Sequence, residues 1–227
     1  MIKEGMKSGL EKAPKTLVQC DFDGTVTIGD VGYMLLDGFA SGEWRQWEEK
    51  YAAGQISVGR FNTEVFSMVT ADRQTLLDYI KGRVVIRPGF NEFVALCRQR
   101  EFRLVIVSNG LSFYIEQVLG DIGIPGLEVH AADTRFCPGG LRVEYIGPDG
   151  TVVDGGPKDA YTSSFLADGY RVIYIGDGRS DFLPARCCSL IFAAADEGNL
   201  LNFCRRENVQ CHPYTSFHDI ISVMETL

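Results

Sequence analysis

Short apolar runs alternate with amphipathic stretches over most of the chain. Five runs have the length of a strand, and β-branched residues dominate three of them, which is typical of strands buried on both faces. These predicted strands are residues 17–20, 103–107, 127–131, 171–175 and 189–192. Helices are predicted between them over residues 91–100, 111–119 and 159–167. This alternation predicts an α/β fold with a three-layer, doubly wound and mostly parallel sheet.

One long segment interrupts the alternation. Residues 28–84 follow the first predicted strand and read as wholly helical. The predicted helices cover residues 44–53, 58–69 and 71–81, the last with Thr70 as its N-cap. So long a connection is not a plain crossover. We therefore expect a helical cap over residues 28–84, inserted into a core domain formed by residues 1–27 and 85–227.

A second interruption covers residues 141–154. There the turn sequence Pro148-Asp149-Gly150 separates two β-prone stretches, which predicts a hairpin.

The bulk composition is that of a folded protein and disfavours several functions. Of the 227 residues, 45% are hydrophobic and 23% are charged. The net charge of -8 offers no basic surface, so nucleic acid is not an expected partner. No apolar run has the length of a membrane span. Residues 1–16 are polar and lack the apolar core of a signal peptide, so we expect a loose tail on a cytoplasmic protein.

The cysteines change this picture little. Their number, seven, is odd, and none form a C-x-x-C pair. Free thiols in a reducing cytoplasm are therefore expected rather than disulfides or a zinc site. A monomer and a homodimer both remain compatible with the composition.

Two carboxylates follow the first predicted strand directly. Asp21 and Asp23 are separated by one residue, and Gly24 permits a tight turn after them. An ionised aspartate can attack phosphorus and form an aspartyl phosphate. A second carboxyl group can protonate the leaving oxygen and later deprotonate the hydrolytic water. The spacing therefore suits both a metal site and a nucleophile–acid pair.

Two further motifs can bind an anion. Ser108, Asn109 and Gly110 end the strand predicted over residues 103–107 and precede a helix, where they offer a hydroxyl, an amide and backbone N–H groups. Lys158 begins another predicted helix and can neutralise charge on a transferring phosphoryl group.

The last motif follows the strand predicted over residues 171–175. Its residues Asp177 and Asp181 supply hard oxygen ligands suited to Mg²⁺. Alone, each motif has a structural explanation, because such sequences are common as turns, helix caps and solvated charges. Ligands, however, collect at the carboxyl ends of parallel strands. The four motifs in this order therefore favour a phosphoryl-transfer site.

These motifs resemble those of the haloacid dehalogenase superfamily of phosphatases over residues 17–192. The residues that carry the resemblance are Asp21-x-Asp23-Gly24-Thr25, Ser108, Lys158 and Gly176-Asp177-x-x-x-Asp181. The helical insert resembles the C1 cap of the phosphoserine-phosphatase-like branch. Within that branch the chain, including residues 199–220, is similar to the 2-hydroxy-3-keto-5-methylthiopentenyl-1-phosphate phosphatases of methionine salvage. The resemblance implies a Rossmannoid core and Mg²⁺-dependent hydrolysis of a small phosphorylated metabolite through an aspartyl phosphate.

The resemblance also implies roles for the acidic residues. Asp21 is expected to be the nucleophile and a metal ligand. Asp23 is expected to be the general acid and base, with its backbone carbonyl also contacting the metal. Asp177 is expected to be the third metal ligand, and Asp181 to orient Lys158 or a metal-bound water.

The remaining roles concern the phosphate. The resemblance implies that Ser108 binds the phosphoryl oxygens, helped by the backbone N–H groups of Asn109 or Gly110. Lys158 is expected to pair with Asp21 and with the phosphoryl group.

The cap departs from the phosphoserine phosphatase pattern. Those enzymes hold the serine with a glutamate and an arginine of the cap, whereas here Asp30 stands near the first position and Arg60 is offset from the second. Asp30 is therefore the cap candidate for contact with the leaving group, and phosphoserine is disfavoured. Phosphoserine, phosphocholine and phosphorylated vitamin precursors stay as alternative substrates. A phosphate-binding regulatory module without turnover is the alternative of another class.

Overall fold

The structure, a computed structural model, describes residues 15–196 and 198–226. The strands are β1 (Thr16–Cys20), β2 (Thr27–Ile28), β3 (Val85–Ile86), β4 (Arg103–Leu111), β5 (Glu128–Cys137), β6 (Gly140–Glu144), β7 (Arg171–Gly176), β8 (Leu190–Ala194) and β9 (His212–Tyr214). The helices are α1 (Val31–Phe39), α2 (Arg45–Ala52), α3 (Val58–Phe66), α4 (Arg73–Ile80), α5 (Phe90–Gln99), α6 (Ser112–Asp121), α7 (Pro157–Ala167), α8 (Phe182–Ala185), α9 (Leu200–Arg206) and α10 (Phe217–Met224). Most of the predicted N-terminal tail, residues 1–14, lies outside the described residues.

Seven strands form one sheet in the order β6-β5-β4-β1-β7-β8-β9. Every neighbouring pair is parallel except β5 and β6, which are antiparallel. The first strand is central, so that Cys20 pairs with Ile106 of β4 on one side and with Ile175 of β7 on the other. The predicted α/β class with a mostly parallel sheet is confirmed.

Helices cover both faces of this sheet. On β1, Val18 and Cys20 pack into the large apolar cluster that includes residues of α5, α6 and α10. Leu17, which points to the opposite face, packs with Tyr161 and Phe165 of α7. This alternation along a strand buried on both faces produces the three layers that the sequence predicts.

The five predicted strands and the three predicted core helices are all present, but β4 and β5 continue four and six residues beyond their predicted ends. The hairpin predicted over residues 141–154 is only partly correct. The turn forms, since Gly147 N donates to Thr151 O at 2.7 Å, but only an isolated bridge joins Ile146 to Val152. The main antiparallel partner of β6 is instead β5.

Residues 28–84 contain α1 to α4 and are not wholly helical. Ala40 and Val69 form an antiparallel bridge, and α3 ends at Phe66 rather than continuing to residue 69. The N-cap of α4 is Asp72 and not Thr70, because the Asp72 carboxylate accepts the Thr75 N–H at 2.8 Å. A carboxylate is the better acceptor for a free N–H at a helix start.

The segment begins and ends at a two-stranded ribbon. There Thr27 of β2 pairs with Ile86 of β3. The segment also contacts the sheet region elsewhere, since Gly59 N donates to Asp154 O at 2.9 Å and Leu141 N donates to Val69 O at 3.1 Å. The division into a core and a cap at residues 28 and 84 stays a proposal.

Arg87, directly after β3, is the largest fully buried side chain among the described residues. Its guanidinium donates to Gly24 O at 2.8 Å and to Thr25 O at 2.9 Å. It also donates to both carboxylate oxygens of Asp196 and to Thr215 O. One arginine therefore connects the loop after β1 to two segments near the C-terminus.

None of the helices in the described part of the chain is long and apolar enough to cross a membrane.

Candidate active site

Lys158 lies at the centre of a buried polar cluster at the carboxyl end of the sheet. Its ammonium group donates to Asp21 Oδ2 at 2.6 Å, to Asp181 Oδ1 at 2.7 Å and to Ser180 Oγ at 3.0 Å. Burial alone would lower the pKa of Lys158, but the negative charges of Asp181 and Asp21 raise it above its ordinary value. The lysine therefore stays charged although only 4% of its surface is exposed.

Asp181 holds the lysine and the loop after β7 together. One carboxylate oxygen accepts from Lys158 and from the Tyr174 hydroxyl at 2.8 Å. The other accepts the backbone N–H groups of Asp177 at 3.2 Å and Gly178 at 2.8 Å. With two donors on each oxygen, the fully buried Asp181 is placed to position its neighbours.

The carboxylates of Asp21, Asp177 and Asp181 form an acidic cluster, with oxygens within 4.8 Å of one another. When all three carboxyl groups are ionised, they outnumber the one ammonium group of Lys158 and leave a charge of about -2. Burial raises the pKa of Asp21 to about 6, opposed by Lys158 and reinforced by Asp181. Burial also raises the pKa of Asp177, and Asp181 and Asp21 add to that shift.

Such a cluster fits a hard divalent cation, which would offset the charge and prefers carboxylate oxygens. The donors around Asp181 make Asp21 and Asp177 the better placed ligands. Asp177 is also oriented, since the Thr25 hydroxyl donates to its Oδ1 at 3.0 Å.

Asp23 lies beside this cluster and not within it. Its Oδ1 accepts the backbone N–H of Val31 at 2.9 Å, and its Oδ2 accepts the Tyr114 hydroxyl at 2.6 Å. Burial raises the pKa of Asp23 well above its ordinary value, and the charge of Asp30 adds to that shift. The acidic cluster thus contains the side chain of Asp181, whereas the Asp23 side chain lies outside it. For Asp23 the expected metal contact remains that of its backbone carbonyl.

The Ser108 motif has a different backbone from the one expected. β4 continues through Leu111, so the motif lies in the end of the strand and α6 begins only at Ser112. The Gly110 N–H donates to Ser108 Oγ at 3.0 Å. Asn109 O accepts the Asn62 amide at 2.8 Å, a contact with α3. All three predicted residues line the cavity, but the Gly110 N–H already has an acceptor within the motif.

A cavity of about 200 Å³ lies over these residues. The predicted residues that line it are Asp21, Asp23, Asp30, Ser108, Asn109, Gly110, Lys158 and Asp177. Apolar and aromatic side chains of residues 28–84 line it as well: Tyr33, Leu36, Tyr51, Val58, Phe61 and Phe66. The structure thus brings every predicted site residue except the supporting Asp181 to one cavity.

Asp30 lines the cavity and is the N-cap of α1. Its Oδ1 accepts the Tyr33 N–H at 2.8 Å. The residue keeps considerable exposed surface, yet nearby protein atoms crowd its carboxyl group. This crowding raises the pKa of Asp30 to about 6, against the lowering effect of the Tyr33 and Gly32 N–H groups.

Sequence reasoning missed several residues of this site. Tyr114 contacts Asp23, and the hydroxyl of Tyr145 lies between Asn62 and the Asn109 carbonyl. Arg179 lines the cavity, and its guanidinium donates to Ala52 O in the last turn of α2. The only available signal was that Tyr114 falls in the first turn after the Ser108 motif.

A family model described as haloacid dehalogenase-like hydrolase matches residues 18–186. The chain belongs to this family. A curated relative from Brevibacillus brevis is 27% identical over 93% of this chain and 96% of its own length. Another from Geobacillus kaustophilus is 29% identical over 92% and 94%. Both relatives are named 2-hydroxy-3-keto-5-methylthiopentenyl-1-phosphate phosphatase.

Solved structures show the same fold. A phosphoserine phosphatase with an analogue of its phospho-aspartyl intermediate has a TM-score of 0.65 at 15% identity, over 92% of this chain and 99% of that one. A phosphoserine phosphatase from T. onnurineus has a TM-score of 0.66 at 16% identity, over 94% and 96%. The predicted family, fold and enzyme class, a phosphoric monoester hydrolase, are confirmed.

Proposed function

We propose that the chain hydrolyses a small phosphomonoester with Mg²⁺ and forms an aspartyl phosphate on Asp21. The observation that carries this proposal is the buried contact of 2.6 Å between Lys158 Nζ and Asp21 Oδ2 at the cavity. An aspartate beside a buried ammonium group can attack phosphorus while the lysine neutralises charge on the phosphoryl oxygens. Ser108 lines the same cavity and supplies a hydroxyl donor for those oxygens.

The reaction then has two halves. In the first, Asp21 forms a bond to phosphorus while the bond from phosphorus to the leaving oxygen breaks. Asp23 gives its proton to that oxygen, a role that the raised pKa of its buried carboxyl group suits. In the second, Asp23 takes a proton from water while the water oxygen forms a bond to phosphorus, and the bond from phosphorus to Asp21 breaks, which releases phosphate and the free carboxylate.

Asp21 and Asp177 would hold the Mg²⁺, with the backbone carbonyl of Asp23 that the family resemblance assigns. When bound, the ion neutralises charge on the phosphoryl oxygens. Asp181 keeps Lys158 in place through its contact of 2.7 Å.

For the substrate we propose 2-hydroxy-3-keto-5-methylthiopentenyl-1-phosphate, after which the relatives are named. The part of the cavity formed by residues 28–84 includes Leu36, Val58, Phe61 and Phe66, which are all apolar. Apolar walls bind a methylthio group by contact area and shape.

Phosphoserine has less support from the same cavity. Its carboxylate would need a cationic partner, but Arg60 pairs with Glu64 at 2.6 Å on the surface and does not line the cavity. Arg179 does line it, but its guanidinium donates to Ala52 O. Asp30, which lines the cavity, remains the proposed contact for the leaving group.

The substrate is tested with a panel that contains this methylthio compound, phosphoserine, phosphocholine and p-nitrophenyl phosphate, each with Mg²⁺ and with chelator. We expect Mg²⁺-dependent turnover and the highest kcat/KM for the methylthio compound. A higher value for phosphoserine would contradict the proposed substrate and leave the mechanism standing.

The mechanism is tested by acid quench during turnover, followed by mass spectrometry. A phosphoryl group on the peptide that contains Asp21 is expected, and its absence in an active enzyme would contradict the aspartyl phosphate. If no ester turns over while Mg²⁺ and phosphate still bind, the chain is the regulatory module instead.

A further inference from the structure

Two hydrogen-bond donors contact the Asp23 carboxyl group, and one of them, Tyr114, has no role in the mechanism proposed above. On one side the backbone N–H of Val31, the first residue of α1, donates to Oδ1 at 2.9 Å. On the other, the Tyr114 hydroxyl donates to Oδ2 at 2.6 Å. Tyr114 belongs to α6, which packs against the sheet through β4 and β5. Within residues 15–196 and 198–226, the Tyr114 contact is the one hydrogen bond that connects this carboxyl group to a helix outside residues 28–84.

The Tyr114 ring is fixed by its neighbours. It is fully buried, and its centroid lies 6.3 Å from that of Phe22 and 5.6 Å from that of Phe113. Phe22 stands between Asp21 and Asp23 in the chain. The same packing therefore fixes both the tyrosine and the loop that carries the proposed nucleophile and acid.

The backbone beside this contact leaves no room for a side chain. A Cβ at Gly110 would lie 2.1 Å from the Tyr114 hydroxyl oxygen and 2.4 Å from Asp23 Oδ2. Gly110 has an ordinary backbone conformation, since it is not among the glycines with positive φ. This glycine is therefore explained by the space that the tyrosine and the carboxyl group occupy, and not by strain.

From this geometry we propose that Tyr114 is a positioning residue that fixes the direction of the Asp23 carboxyl group for proton transfer to the leaving oxygen. The inference rests on the proposed function, in which Asp23 is the general acid. Rotation of an aspartate carboxyl group about its last side-chain bond is weakly restricted in itself. With donors on both oxygens, Asp23 is held in one orientation before the substrate arrives.

The consequence depends on the leaving group. A simple alkyl phosphate releases a strongly basic oxygen that must be protonated as the bond breaks, whereas p-nitrophenol leaves without that help. A residue that acts by orienting the acid must therefore affect alkyl phosphates selectively. A residue that only stabilises the fold must affect both substrates alike.

The test compares wild type with Tyr114→Phe on glycerol 2-phosphate and on p-nitrophenyl phosphate, both with Mg²⁺. We expect kcat/KM for glycerol 2-phosphate to fall by about 10-fold, part of the 10²–10⁴ that acid catalysis contributes, and kcat/KM for p-nitrophenyl phosphate to change less than about twofold. The comparison uses kcat/KM because this parameter reports the steps through loss of the leaving group and not the later hydrolysis of the aspartyl phosphate, in which Asp23 acts as base for every ester. Tyr161→Phe, a tyrosine that packs on His130 away from the cavity, is the matched control and should change neither. An equal fall for both substrates in Tyr114→Phe would overturn the proposal.

The variant Asp23→Asn distinguishes an error in the role of Tyr114 from an error in the acid role of Asp23. If Asp23 is the acid, Asp23→Asn alone lowers the ratio of kcat/KM for the alkyl ester to kcat/KM for the aryl ester. An unchanged ratio in that variant would contradict the acid role itself. If the ratio falls in Asp23→Asn but not in Tyr114→Phe, only the role of the tyrosine is wrong.

The double variant of Asp23 and Tyr114 and a glycine variant complete the test. Since Tyr114 acts through Asp23, adding Tyr114→Phe to Asp23→Asn should lower alkyl turnover no further. Gly110→Ala displaces the same contact without removing the hydroxyl, and should lower the alkyl-to-aryl ratio as Tyr114→Phe does. A further loss in the double variant, or an unchanged ratio in a folded Gly110→Ala protein, would count against the proposal.

Discussion

The two sides of the cavity are built on different physical principles. On the side of the sheet, which we call the polar side, charged groups are fixed by directed hydrogen bonds, as for Lys158 with its three acceptors. The side formed by residues 28–84 is the apolar side. On the side of residues 28–84, rings and aliphatic chains pack on one another, as where Tyr51 and Phe61 stack 5.3 Å apart. Hydrogen bonds fix an atom in direction, whereas apolar contacts select by size and shape. We therefore expect the reaction and the choice of substrate to depend on separable parts of the chain.

The largest effect is expected from Asp21→Asn, which removes the proposed nucleophile and leaves the apolar side of the cavity unchanged. An amide is a poor nucleophile, so kcat should fall by about 10⁴ or more, and equally for every phosphate ester. Steady-state rates on two unrelated esters measure this. The fold should survive because Asp181 still contacts Lys158. Substantial residual turnover in a folded, purified variant would refute Asp21 as the nucleophile.

A smaller effect is expected from Phe61→Leu, which alters the apolar side alone. The change removes the stack with Tyr51 and reshapes the wall, so kcat/KM for the methylthio substrate should fall by about 10- to 100-fold. The kcat/KM for p-nitrophenyl phosphate should change less than about threefold, because its phosphoryl group contacts only the polar side of the cavity.

The matched control for this variant is Val65→Ala. Val65 is fully buried on the same helix but does not line the cavity. It should lower the melting temperature without changing the ratio of the two kcat/KM values. An equal loss of selectivity in both variants would mean that stability of the helix, and not the wall, decides the substrate.

The smallest effect is expected from a change of pH, which alters the protonation of Asp21 on the polar side. The pKa of Asp21 in the metal-free fold is about 6, above its ordinary value of 3.8. The folded state therefore binds the proton more tightly than the unfolded state, so this group favours the fold at low pH and loses that contribution as pH rises through about 6. A cation must displace the proton, so Mg²⁺ affinity should fall about tenfold from pH 7 to pH 5.

Thermal unfolding with and without Mg²⁺ at these two pH values measures the effect. The rise in melting temperature caused by Mg²⁺ should be larger at pH 7 than at pH 5. An equal rise at both would show that Asp21 does not bind the ion as a carboxylate that titrates near pH 6.

Sequence reasoning predicted the polar side well for a physical reason. Apolar runs located β1, β4 and β7, and parallel strands bring their carboxyl ends to one edge of a sheet. The positions of Asp21, Ser108 and Asp177 directly after these runs were therefore enough to predict that they lie together. Lys158 followed the same logic, since it begins the helix that precedes β7.

The contacts that orient these residues could not be predicted in this way. The contact of Tyr114 with Asp23 joins residues 91 positions apart, and that of Asn62 with Tyr145 joins residues 83 apart. Such pairs depend on how helices dock on the sheet and leave no local pattern. The strand β9 was missed because its three residues are too few for an alternating pattern.

Because of Arg87, the loop after β1 depends on residues that lie outside the family motifs. The family match ends at residue 186, yet this arginine joins the loop of the proposed nucleophile and acid to Asp196 and Thr215. Without those acceptors the buried guanidinium would lose its counter-charge, which is unfavourable because a buried charge needs a partner. The smallest stretch of chain that can fold around its own active site must therefore continue well beyond the last motif. A domain boundary drawn from the motifs alone would remove the acceptors of Arg87, which contacts the loop that carries Asp21.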